Sequence, residues 1–293
     1  MIRIITSKNK EEISKLKSRG NQNFDLAIDR VMPIIRNVKT RGDKALFSYT
    51  KKFDNVQLDK YTVKVSNAEI ESAYKKVPKK IVSAMKVAMR NIKRYAELQM
   101  PKQWKKRIDE GITVGQIIRP IDSVGCYVPS GLYPLPSTLL MTVVTAKTAG
   151  VKNVIVCTPP RLNNSEIYLA GALAGADAIF KIGGAQAIAG MSYGTESIPR
   201  VNKIVGPGNI FVTAAKKLVY GDVDIDFIAG PTEVIIYSEK GNKKFISADM
   251  LAQAEHDRLA MSLFITPNKK LAEDVKEELE EQLRSLGTKT TAE

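Results

Sequence analysis

His256 is the only histidine among the 293 residues. It stands three positions after Gln253 in a helical pattern running from Lys243 to His256, so both side chains share one helix face, and Glu255 between them points elsewhere. Such a pair can hold one side of a metal ion. Zinc takes three or four protein ligands, and these two residues supply only two donors. A structural or surface histidine fits the same pattern, and the residues alone leave both readings open. A second stretch, Gly190-Met191-Ser192-Tyr193-Gly194, spells G-x-S-x-G. A serine hydrolase needs that serine on a sharp turn from strand to helix, with His256 as its base. Here it follows a short helical pattern, and the stretch reads as a loop.

Three glycine-containing loops offer another chemistry. They span 125–138, 183–187 and 206–209, and each joins a predicted strand to a predicted helix. A strand end leading through glycines to a helix N-terminus is where open α/β sheets bind anions and cofactors. None of the three matches the dinucleotide fingerprint or the phosphate-binding P-loop. They serve equally well as tight connections. Gln186 and Asn209 stand close to the glycines in apolar surroundings. A buried amide needs hydrogen-bond partners, from the backbone or from a ligand.

The elements that position these loops follow from the hydrophobic periodicity. Strands are expected at 123–128, 151–157, 178–182, 203–205 and 224–228, alternating with helices at 137–149, 163–173, 185–191 and 209–219. Near-continuous apolar strands in such a series indicate a parallel sheet covered on both faces. A second series begins at Glu233, with strands at 234–237 and 262–266 and helices at 243–256 and 267–286. The first 110 residues are predicted mostly helical, at 23–40, 44–53, 67–77 and 78–99. Pro33 is expected to interrupt the first helix. Tyr61, Val63 and Val65 alternate as in a short strand. The fold class is therefore α/β: two Rossmann-like parallel-sheet domains, one inserted into the other, with a helical N-terminal region. The expected boundaries are an N-terminal segment 1–18, a first α/β domain of 19–126 plus 233–293, and an inserted domain 127–232 carrying the glycine loops.

Composition narrows the function classes. Cys126 and Cys157 sit among apolar residues and form no C-x-x-C motif, so buried reduced thiols are expected. No run of eighteen apolar residues occurs, and the start Met1 to Ile5 lacks the pattern of a signal peptide. A cytoplasmic protein with no membrane partner is expected. The net charge is +14. The densest basic stretch, Lys75 to Arg107, carries Ile81, Met85, Ala88, Ile92 and Tyr95 at helical spacing, as in a packed helix with a wet basic face. A basic nucleic-acid-associated protein is the less favoured alternative.

Several stretches resemble the signature segments of the histidinol dehydrogenase family, in the family's order: VGCYVPSGLYPLPSTLLM, IGGAQAIAGMSYGTESIP, KIVGPGNIFVTAAKKLV, IDFIAGPTEVIIYS and LAQAEH. RGDKALFSYTKKFD, residues 41–54, is similar to it as well. The resemblance implies a homodimer that oxidises L-histidinol to L-histidine through the aldehyde, with NAD and a bound zinc ion (Zn2+). It implies that Tyr127, Gln186 and Asn209 match NAD-contacting positions. Gln253 and His256 match zinc ligands that also face the substrate. Thr232 stands where the family has a substrate-contacting serine, a departure that keeps the hydroxyl. After His256, the run Asp257 to Met261 departs from the family's Gly-Pro pattern, which puts the shape of that site in question. The family pattern continues with a Glu-His acid/base pair, and with an aspartate and a further histidine, the latter from the partner subunit, that complete the zinc site. With one histidine in the chain, neither of those histidines is among its residues. The expectation is a truncated chain with none of the catalytic acid/base residues, inactive by itself. The alternative is a non-catalytic or split-protein binding module.

Overall fold

The computed structural model describes residues 2–18, 21–129, 134–161, 164–228, 233–255 and 260–287. In chain order, the elements up to the first sheet are α1 (Lys10–Ser18), α2 (Asn21–Asp54), α3 (Asn67–Lys76), α4 (Lys79–Leu98), β1 (Trp104–Asp109) and β2 (Ile112–Gln116). Then follow β3 (Ser123–Tyr127), α5 (Pro136–Thr148), β4 (Asn153–Cys157), α6 (Ser165–Ala174), β5 (Ala178–Phe180), α7 (Gly184–Tyr193), β6 (Lys203–Val205), α8 (Ile210–Val219) and β7 (Asp224–Ile225). Last come β8 (Glu233–Tyr237), α9 (Lys243–Ala254), β9 (Met261–Ile265) and α10 (Lys269–Ser285).

The chain forms two compact units, Asp25–Ile228 and Met1–Phe24 with Ala229–Glu293. In the larger unit five parallel strands stand in the order β5-β4-β3-β6-β7. The chain steps outward from β3 to β5, then crosses back to β6 and β7. Right-handed crossovers put α5 and α6 on one face and α7 and α8 on the other. The strands are rich in valine and isoleucine because both faces are covered. Val154, Val156 and Cys157 of β4 are fully buried, together with Leu139 and Val143 of α5 and Ile167 and Leu169 of α6.

Helices α3 and α4 pack outside α5 and α6, and their Ala73 and Met85 join the same core. The helical region therefore shares its interior with the five-stranded sheet. The compact units accordingly divide the chain near residues 24 and 228. The basic face of α4 lies in water, as its periodicity predicts. Helix α3 begins with a capping box in which Ser66 and Glu69 bond reciprocally. Glu69 also receives Lys181 at 2.8 Å. The alternating segment before it makes one antiparallel bridge at the edge of β5, burying Val63 and Val65 and leaving Tyr61 exposed.

Two local expectations are corrected. Helix α2 runs through Pro33 without the expected interruption and breaks at Gly42, whose φ is +53°, between the helices expected at 23–40 and 44–53. A Cβ there would lie 2.3 Å from the Glu196 carboxylate, which accepts the Asp43 N–H at 2.8 Å. Asp43 in turn accepts the Ser197 hydroxyl at 2.5 Å. The break is thus set by a tertiary contact with the 196–197 loop. Residues 104–116, for which the periodicity predicts no element, form an antiparallel hairpin that turns at Gly111, with every residue of both strands exposed.

In the smaller unit, β8 and β9 pair in parallel over five residues. Helices α9 and α10 pack together around Ile246, Leu251, Leu271, Val275 and Leu279, with Ile236 and Phe264 against them. Asn242 and Asn268 cap the two helices by accepting backbone N–H groups. Among the described residues no helix is long and apolar enough to cross a membrane.

Candidate cofactor site

The strand order reverses between β3 and β6, and in open α/β sheets ligands bind outside the carboxyl ends of the strands at such a switch point. The described parts of the three glycine loops all leave carboxyl ends of this sheet. Tyr127 ends β3 and is 3% exposed. Its phenolic oxygen accepts the Gly184 N–H at 3.0 Å. Burial pushes the Tyr127 phenol well above its usual range, so the hydroxyl keeps its own proton for donation. Residues 130–133 of the first loop lie outside the described residues.

The second loop is tight for steric reasons. A Cβ on Gly183 would lie 2.4 Å from the Pro159 ring, and Gly184 has φ +65° at the start of α7. Two residues on, Gln186 is 1% exposed and its Oε1 has no hydrogen-bond partner. Leaving such an acceptor buried and unpaired costs about 1–3 kcal/mol. It is not isolated. Thr158 Oγ1, just after β4, and Asn164 Oδ1, just before α6, are likewise buried and unpaired. Asn164 donates its amide N–H to the Pro159 oxygen at 2.9 Å, and Gly183 presses on the same proline, so the three atoms belong to contiguous loops. Buried polar atoms are nearly always satisfied, and a group of exceptions at a switch point fits a polar ligand. Thr158 and Asn164 were not singled out in the sequence; the Thr-Pro-Pro that ends β4 is the signal that marks them.

The third loop approaches Tyr127 directly. Gly206 has φ +120°, and its N–H donates to Asp226 Oδ2 at 2.8 Å. Asn209 caps α8, its Oδ1 accepting the N–H groups of Phe211 and Val212 at 3.1 Å each. The two amides expected to need partners therefore differ. Asn209 is exposed and spends its oxygen on the backbone, so its NH2 is the part that can serve a ligand. Gln186 is buried with its oxygen unspent.

Asp54, at the end of α2, adds a carboxylate that the sequence reading did not select. Its Oδ2 is buried and unpaired. Burial pushes its carboxyl up, and the nearby Arg161 charge opposes that shift. The Asp54 charge also acts on the Tyr127 phenol.

The remaining predicted residues are placed as follows. Gln253 is partly buried in the last turn of α9. His256 and Thr232 lie outside the described residues, so only Gln253 of the expected metal pair is described. Among the described residues no group of three His, Cys, Asp or Glu side chains is arranged to hold a metal. Ser192 is corrected from loop to helix. It lies in α7, fully buried, and its hydroxyl donates to the Ile188 oxygen at 2.7 Å. The helix stops only at Gly194, where φ is +76°. Cys126 and Cys157 are buried and unbonded to each other, as expected, and burial pushes the Cys126 thiol up to about 12. An open cleft of about 660 Å³ lies at the opposite, amino ends of the strands. Its polar side chains engage one another or backbone, as Ser123 does with Asn202 and Arg200 with the Asp222 oxygen.

The family model for histidinol dehydrogenase matches residues 17–293. The histidinol dehydrogenase of Methanococcus maripaludis is 48% identical over 283 residues, which cover 95% of this chain and 66% of that protein. Its counterpart in Methanothermobacter thermautotrophicus is 46% identical over 288 residues, 97% of this chain and 67% of the relative. The crystal structure of histidinol dehydrogenase from Elizabethkingia anophelis matches with a TM-score of 0.84 at 37% identity, covering 90% of this chain and 62% of that one. The chain spans about two thirds of the length of the relatives it matches.

Proposed function

Since the chain belongs to the histidinol dehydrogenase family, we propose that it serves the NAD-dependent, zinc-assisted oxidation of L-histidinol to L-histidine through L-histidinal, the last steps of histidine biosynthesis. The observation that carries the cofactor part is the buried, unpaired Gln186 oxygen beside the Tyr127–Gly184 bond at the switch point. The dinucleotide carries ribose hydroxyls and a carboxamide, which donate hydrogen bonds, and phosphates, which accept them. Gln186 supplies an acceptor for the first kind. The N–H groups at the start of α7 and the amide of Asn209 supply donors for the second. Tyr127 fixes the Gly184 peptide and walls the site with an apolar ring. NAD would take up the hydride, and the protein's part is to hold and orient it.

Zinc is proposed at Gln253 and His256. An imidazole nitrogen is an ordinary zinc donor and an amide oxygen a weaker one, so the pair fits part of a site whose other ligands come from elsewhere. When bound, zinc would polarise the alcohol oxygen and lower its pKa. The same two residues and Thr232 are proposed to face histidinol. A homodimer and a cytoplasmic location are proposed with the family reading.

The test is turnover by the full-length protein. Histidinol should give NADH formation that falls on removal of metal with a chelator and returns with added zinc. His256→Ala should lose both bound zinc and activity. Full zinc content in that variant would remove His256 from the metal site, and no NADH from the parent would remove the proposed activity.

A further inference from the structure

Lys216 lies near the C-terminal end of α8, and with 3% of its surface exposed it is a rare fully buried lysine. Its Nζ donates to the Gly206 carbonyl at 3.0 Å and pairs with Asp226 Oδ1. The other oxygen of Asp226 accepts the Gly206 N–H at 2.8 Å. Two side chains thus grip both polar groups of one glycine, the residue that follows β6 and starts the loop to Asn209. That glycine lies against the Tyr127 carbonyl. Burying a charged pair costs several kcal/mol of desolvation, and an apolar pair of similar volume would often be as stable. What an apolar pair cannot do is hold an N–H and a C=O at fixed positions.

We propose that Lys216 and Asp226 are positioning residues for the cofactor: by clamping the Gly206 peptide they set the separation between Tyr127 and the Asn209 loop into which the dinucleotide fits. This rests on the NAD reading above. Neither side chain touches the reacting atoms. The pair acts through the loop, so its loss should weaken NAD and leave the metal and histidinol sites unaffected.

The experiment measures NAD affinity by calorimetry, zinc content after dialysis and the KM for histidinol in the full-length protein and in Lys216→Met, Asp226→Asn and the double variant. Lys216→Met should lose NAD affinity by about tenfold or more, the size expected for a lost charge-assisted hydrogen bond, with zinc content and histidinol KM unchanged. The double variant should lose no more than the worse single one, because the pair acts as a unit. Asp226→Asn keeps the shape and an acceptor for Gly206, and it decides the matter if Lys216→Met does not fold. Unchanged NAD affinity in the folded variants would overturn the positioning role, as would parallel losses of NAD and zinc, which mark general damage. A parent that binds no NAD would instead overturn the cofactor reading on which the proposal stands.

Discussion

Gly206 passes so close to Tyr127 that a Cβ on it would lie 2.1 Å from the Tyr127 carbonyl oxygen, at a backbone φ of +120°. This contact joins the end of β3 to the loop after β6, the two sides of the switch point. Only glycine meets both the steric and the torsional requirement. Gly206→Ala should therefore destabilise the protein by roughly 2 kcal/mol or more, since strained backbone of this kind costs about 1–3 kcal/mol before the clash is added. Thermal unfolding checks it. A midpoint equal to the parent's would show that the loop has room to move away from Tyr127.

Asn209 has a structural duty and a proposed ligand duty, and two substitutions separate them. Asn209→Ala removes the α8 cap and should cost about 1 kcal/mol of stability as well as NAD affinity. Asn209→Asp keeps the capping oxygen and adds a charge that suits a helix N-terminus. It lacks the NH2 donor and repels phosphate. Stability should be kept and NAD affinity should fall. An aspartate variant that binds NAD as the parent does would confine Asn209 to capping.

Asp54 predicts a pH dependence. Burial raises its folded pKa above the ordinary 3.8, so the folded chain holds this proton more tightly than the unfolded chain. Its contribution to stability is complete below 3.8 and is lost as pH rises through the raised folded value. At neutral pH the buried carboxylate is a net cost. Asp54→Asn should raise the unfolding midpoint at neutral pH and give no such gain in acid. Equal shifts at both pH values would contradict this assignment.

Much of the central sheet was legible because both faces of its strands are buried, which leaves runs such as Val154-Ile155-Val156 with no polar residue to obscure them. The glycine loops were legible because close approach leaves no room for a side chain, as at Gly183. The hairpin 104–116 was not, since all its strand residues are exposed and no burial pattern marks it. The break of α2 at Gly42 was legible from the glycine, but its contact with Glu196, remote in sequence, was not. The same is true of the site. Gln186 and Asn209 stood out as amides near glycines, but only the three-dimensional structure shows that one is exposed and caps a helix while the other is buried with a spare acceptor. Thr158, Asn164, Asp54, Lys216 and Asp226 matter through contacts between elements, which spacing does not reveal. His256 and Thr232, proposed for the metal and substrate sites from the resemblance, lie outside the described residues.

The most direct test of the account is NAD titration of the full-length protein carrying Gln186→Met, a change that keeps the length of the side chain and deletes the unpaired oxygen. If that oxygen awaits the cofactor, NAD affinity should drop by about tenfold or more, while the midpoint of thermal unfolding without NAD stays level or rises, because an unsatisfied buried acceptor costs about 1–3 kcal/mol. NAD binding equal to the parent's would contradict the assignment of this switch point as the cofactor site.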